Sequence, residues 1–149
     1  MYSIPQNLCF VLPVLGFIGC GPGSVEEYDA FPCVEENTLC VTLEVPERYQ
    51  GTPRKLSTGF YDTSDTARIP NQSLPTIDYP TIVPGEGYDL SFKDLDFTGE
   101  FYLMFILFDE DGGTFIPKAN VDYTATTKDL VSVDGGPVEI GEMKLRPAD

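Results

Sequence analysis

EFYLMFILFDE, residues 100–110, decides what kind of fold this chain has. The run is apolar on both faces at a spacing of two: Phe101, Leu103, Phe105 and Leu107 on one, Tyr102, Met104, Ile106 and Phe108 on the other. A membrane-spanning helix needs about 18 or more apolar residues, and this run is far shorter. Its aromatic content and the Asp-Glu-Asp-Gly-Gly turn that follows point to a strand rather than a helix. A strand apolar on both faces is expected at the centre of a sheet, with its outer face partly covered. A second reading makes one face a docking patch for a partner, because an uncovered strand of this kind would aggregate.

Working outward, the neighbouring segments alternate. TLCVTLEV, 38–45, places Leu39, Val41, Leu43 and Val45 on one face and Thr38, Cys40, Thr42 and Glu44 on the other, the pattern of a half-buried strand. RKLSTGFYD, 54–62, puts Leu56, Thr58 and Phe60 on one face, and GYDLSFKD, 87–94, alternates through Tyr88, Leu90 and Phe92. PTIDYPTIVPG, 75–85, holds three prolines and is expected as an edge strand or an extended connection. A strand is expected near 121–127, and LVSVDGGPVEI carries a hairpin signal at Asp134-Gly135-Gly136. In PVEIGEMKLRP the apolar phase slips from Val138 and Ile140 to Met143 and Leu145. One extra residue near Gly141-Glu142 restores a single face, which predicts a β-bulge. No segment has helical periodicity. Seven or eight short strands separated by turn signals argue an all-β fold, an antiparallel β-sandwich.

Charge narrows the partners. The 149-residue chain carries 9 Lys and Arg against 24 Asp and Glu, a net charge of −15, with no His and no Trp. Such a surface repels phosphate backbones, so nucleic acid is not an expected partner. It also repels anionic headgroups. The commonest general base and the commonest transition-metal ligand are both missing.

The first 20 residues, MYSIPQNLCFVLPVLGFIGC, contain no charged side chain. Their apolar run has the length of a signal-peptide core and ends in small residues. FIGC, 17–20, resembles the lipobox of bacterial lipoproteins, with Phe17 where Leu is usual. That resemblance implies cleavage before Cys20 and acylation of Cys20, diacylglycerol and palmitate being the expected lipids. Two chains anchor firmly, at about 0.8 kcal/mol per buried methylene. GPGSVEEYDA, 21–30, is polar and rich in breakers, as a tether should be. The expected organisation is a signal peptide at 1–19, a lipidated Cys20 and flexible tether through residue 34, and a sandwich domain over 35–149. An ordinary secretory signal cut elsewhere, and a structural role for residues 1–20, stand as alternatives.

Export accounts for the cysteines. Cys9 leaves with the signal and Cys20 takes the lipid. Cys33 and Cys40 remain, and in an oxidising compartment they are expected to form a disulfide, reaching over the sheet edge because Cys40 lies on the outer face. A loop this short stabilises by about 2–3 kcal/mol in the chain-entropy picture. Two free buried thiols are the alternative.

The order TGEFYLMFILFDEDGG, IPKANVDY, DGGPVEIGEMKL resembles the transthyretin-like (prealbumin-like) sandwich modules of bacterial surface proteins. The chain as a whole resembles small uncharacterised bacterial lipoproteins. An immunoglobulin-like topology would give much the same pattern. The resemblance implies an exported protein at the outer membrane or cell surface, on either side of that membrane, held by its lipid.

Chemistry is sparse. Asp109 and Asp111, in Asp-Glu-Asp-Gly-Gly, offer oxygen ligands at alternate loop positions, as calcium requires, with Asp62, Asp65 and Asp122 as further donors if the fold gathers them. The alternative is an acidic turn. Carboxylate pairs such as Asp94 with Asp96, or Glu110 with Asp111, could serve glycoside hydrolysis. No GxSxG is present and no His could activate a serine. The expected function is a non-catalytic binding, structural or assembly module of the envelope that holds an unidentified protein or glycan. A calcium-dependent carbohydrate-binding module, or a carboxylate-based glycan-active enzyme, is the alternative.

Overall fold

The computed structural model describes residues 33–110 and 115–149. The expected signal segment, Cys20 and the tether up to residue 32 lie outside the described residues, as does Asp111. The described chain is all-β. Its strands are β1 (Leu39–Glu44), β2 (Lys55–Tyr61), β3 (Gln72–Ser73), β4 (Ile77–Asp78), β5 (Gly87–Phe92), β6 (Gly99–Phe108), β7 (Tyr123–Thr126), β8 (Val131–Val133), β9 (Val138–Lys144) and β10 (Arg146–Pro147). Three of these, β3, β4 and β10, are only two residues long. The remaining seven match the number the sequence suggests.

Two sheets form a β-sandwich. The smaller has the order β5-β1-β9. The larger runs β10-β7-β6-β2-β3, with β4 also on β2 and β8 also on β6. β6 is the spine of the larger sheet. It pairs along its length with β2 and, on its other edge, with β8 at Gly99–Phe101 and β7 at Met104–Leu107. That placement explains its sequence. The odd-numbered side chains Leu103, Phe105 and Leu107 enter the core between the sheets, with Leu39, Val41 and Leu43 of β1 and Leu56 and Phe60 of β2. The even-numbered Met104, Ile106 and Phe108 form a second buried cluster with Tyr61. Each large apolar side chain fully buried in this way contributes about 1.5–3 kcal/mol. Phe60, Phe97 and Phe101 close one end of the core in edge-to-face contacts, with centroids 4.9–5.7 Å apart, a geometry that sets a positive ring edge against a negative ring face.

Two sequence expectations change in three dimensions. Asp134-Gly135-Gly136 does not make a hairpin: β8 pairs with β6 in the larger sheet, whereas β9 pairs with β1 in the smaller. The glycine turn carries the chain from one sheet to the other. Second, β9 lies parallel to β1, while every other pairing is antiparallel. A turn signal fixes that the chain reverses, but not which strand takes up the free edge. The bulge forms, one residue ahead of its expected place. Cys40 pairs with Glu139 and Val41 with Gly141, so Ile140 is the extra residue, and Gly141 takes φ 78°. Val138 and Met143 thereby both reach the core.

The Cys33–Cys40 disulfide is present, with Cα atoms 5.8 Å apart, inside the usual range. Cys33 Sγ lies 3.5 Å from the Val138 carbonyl oxygen at the start of β9. The chain thus approaches Cys40 across that edge strand, and the bridge fastens Cys33 to the domain.

Candidate functional site

The sandwich has two open sides, where the edges of its sheets face each other. On one side β9 faces β7 and β10. A groove of about 720 Å³ runs there, lined by Lys128, Asp129, Glu139, Glu142, Lys144 and Arg146 among others. Lys144 is paired with Glu44 at 2.9 Å, whereas Lys128 and Arg146 make no ion pair among the described residues. The bulge at Ile140 and the charges along β9 discourage uncontrolled strand pairing at this edge.

Asp109, the first residue of the acidic turn, lies beside Asp122 at the β7 and β10 end of the larger sheet. Asp122, immediately before β7, is 3% exposed. Its Oδ1 accepts the Asp109 N–H at 3.1 Å and its Oδ2 accepts the Lys118 N–H at 2.6 Å. Its own N–H donates to the Lys118 carbonyl, and its carbonyl accepts the Ala148 N–H. One carboxylate therefore ties both ends of the 109–122 loop and, through the backbone, the C-terminal segment. Bonds to an ionised acceptor are stronger than neutral ones, which offsets the cost of burying the charge.

Asp109 is engaged as well. The Tyr49 hydroxyl donates to its Oδ1 at 2.5 Å. Burial pushes the Asp109 carboxyl above its ordinary value, the Tyr49 bond works against that rise, and the Asp122 charge adds to it. The Tyr49 hydroxyl is pushed far up by burial first and by its bond to Asp109 second. The Tyr49 ring meets Tyr123 edge-on, 4.9 Å between centroids. Gly51 is required beside this pair, because a Cβ there would sit 1.7 Å from Asp109 Oδ2.

Of the calcium donors named from the sequence that are described, Asp122 comes next to Asp109, whereas Asp62 and Asp65 do not. Asp62 pairs with Arg68 and bonds Asn71, Asp65 caps the Ala67 N–H, and Glu110 pairs with Lys118 at 3.0 Å. Asp111 lies outside the described residues. Among the described residues no group of three acidic or cysteine side chains is placed to hold a metal ion. What the sequence missed is the service Asp122 performs: VDY carries no signal of burial, since the bonds come from residues 4 and 13 positions away.

The opposite side of the sandwich differs in kind. Between β5 and β1 of one sheet and β2 and β4 of the other lies an apolar cleft of about 200 Å³. Residues 79–84 strap its mouth. Tyr79 has φ 47°, a left-handed conformation costly for a bulky residue. Its N–H donates to the Arg54 carbonyl, and the Val83 N–H donates to the Tyr88 hydroxyl at 2.6 Å. Between these two points Pro80 has no N–H to give, and Thr81 and Ile82 donate no backbone hydrogen bond among the described residues.

Among the described residues one buried side-chain polar atom stands alone. The Tyr61 hydroxyl has no hydrogen-bond partner among the described residues, and burial pushes its pKa up to about 12.

No protein-family model matches the sequence, no curated protein is similar to it, and no solved structure matches it.

Proposed function

We propose that this chain is exported, acylated on Cys20, and displayed at the bacterial outer membrane or cell surface as a non-catalytic β-sandwich that binds an envelope protein or glycan. The observation that carries the reading is FIGC at 17–20, followed by a polar tether and then by a disulfide, since disulfides persist in exported proteins. A transthyretin-like ancestry fits the closing strand lying beside the first. The groove between β9 and the β7–β10 edge is the binding surface on this reading. Its mixed charge suits a polar partner segment, and Lys128 and Arg146, which make no ion pair among the described residues, would take acidic groups on that partner. Asp109, already held by Tyr49, lends no support to a calcium-dependent module.

Intact mass of the protein recovered from membranes tests the anchor. A chain beginning at Cys20 and heavier by acyl groups is expected, with both features lost in Cys20→Ala. An unmodified chain in the membrane fraction, or cleavage at another position, overturns the reading.

A further inference from the structure

We propose that the apolar cleft on the β4–β5 side of the sandwich is a binding site for a small neutral hydrocarbon-rich molecule of about eight non-hydrogen atoms. The size follows from the space. An apolar protein cavity of about 150 Å³ stays dry and takes a six-carbon ring, and this cleft is about 200 Å³. The chemistry follows from the walls. Leu43, Leu56, Ile77, Leu90, Leu107 and Leu145 all face the space, and only Thr81 and Tyr88 bring a hydroxyl to the lining. The Tyr88 hydroxyl is already taken by the Val83 N–H. Water needs two to four polar partners to settle in such a space, and the lining side chains offer only the Thr81 hydroxyl besides Tyr88.

Charge selects the occupant further. No Lys, Arg, Asp or Glu lines the cleft, and the chain carries a net charge of −15. A carboxylate-headed chain would meet a repulsive surface with no cation in the lining to receive it, so the occupant is neutral.

The entrance is built to move. The strap over the mouth contains Pro80 and Pro84, makes no backbone hydrogen bond from Thr81 or Ile82 among the described residues, and begins at the left-handed Tyr79. Tyr79 and Val83 present apolar surface to solvent, 65% and 43% exposed. A strap tied by hydrogen bonds only near its ends, at Tyr79 and Val83, and held between them by packing opens locally at low cost, and backbone strain in a surface segment is characteristic of ligand clamps. The inference is independent of lipidation at Cys20.

Ethylbenzene, with eight carbons, is the probe. Methyl resonances of the full chain are followed by NMR during titration. Saturable shifts are expected at Leu43, Leu56, Ile77, Leu90 and Leu107, with none at Ile106 on the far face of β6, and a rise in melting temperature. Leu90→Phe, on the half-exposed edge strand β5, fills the cleft and is expected to weaken binding at least ten-fold while the protein stays folded. Should that variant fail to fold, Ile82→Phe, on the strap itself, makes the same test. The proposal is overturned by non-saturable shifts spread over the surface, by no shift up to the solubility limit of ethylbenzene, or by unchanged affinity in a folded cleft-filling variant.

Discussion

The two open sides of this sandwich are closed by different physics. On the β9 side, charge and hydrogen bonding hold the chain: Asp122 receives two backbone N–H groups and Lys144 meets Glu44. On the β5 side, the strap from Tyr79 to Pro84 rests on apolar side chains and is tied at its ends. Directional bonds specify one loop conformation, because a displaced partner leaves a buried donor unsatisfied. Apolar contact is non-directional and tolerates sliding. The contrast sets Asp109, Lys118 and Asp122, fixed by directional bonds, on one side against a strap packed on apolar side chains on the other, over a core that both share.

The largest effect is expected at Asp122. Asp122→Ala strands the N–H groups of Asp109 and Lys118 and should cost about 3 kcal/mol, at about 1.5 kcal/mol or more for each lost bond to a charged acceptor. Denaturant unfolding measures it. Hydrogen exchange in the parent protein sharpens the point, since the Lys118 amide should be protected and the Ile82 amide should exchange freely. Equal protection at the two amides would dissolve the contrast. Asp122→Asn keeps one carbonyl acceptor and should lose less.

A smaller change of opposite sign is expected on the strap. Asn accepts the left-handed region better than Tyr does, and the Tyr79 side chain is exposed. Tyr79→Asn should therefore stabilise by about 0.5–1 kcal/mol, read from the urea midpoint at constant slope. A loss of stability would mean that the Tyr79 ring, whose centroid lies 6.0 Å from the Arg54 guanidinium carbon, holds the strap down.

The smallest effect is a pH dependence at Asp109. Its carboxyl is raised above 3.8 in the folded protein, so between that value and the raised one the folded state binds more protons than the unfolded state. Stability from this group is then gained as pH falls through the raised value and lost as pH rises through it. Asp109→Asn keeps an acceptor for Tyr49 and removes the titration. Relative to the parent, the variant should gain stability as pH is raised from about 4 towards neutral. A pH-independent difference between the two would place Asp109 in an environment no different from water.

Much of this molecule could be read from its residues. Period-two alternation in 38–45, 54–62 and 87–94 gave β1, β2 and β5, because half-buried strands must show one apolar face to the core. The double-faced run at 100–110 fixed β6 as the central strand, and the phase slip after Ile140 announced the bulge within one residue. Cys33 and Cys40 were paired by elimination and compartment. The candidate sites were far less legible. Acid-rich turns look alike in sequence, and nothing in VDY separates the buried Asp122 from the exposed carboxylates around it. The apolar cleft left no local mark either, since its walls come from five strands, the strap and Leu145.

By itself, then, the sequence determined the class of fold, the central strand, the disulfide partners and the net charge. The disulfide partners follow from the count and position of four cysteines, and the others rest on local periodicity and composition, which the chain carries in whatever arrangement its strands adopt. Tertiary structure alone decided that β9 runs parallel to β1, that the Asp134-Gly135-Gly136 turn joins two sheets, and that one open side is polar and the other apolar. Each of those depends on which distant strands share an edge. Edge choice is made by the total burial and hydrogen bonding of the packed molecule, which no single segment encodes.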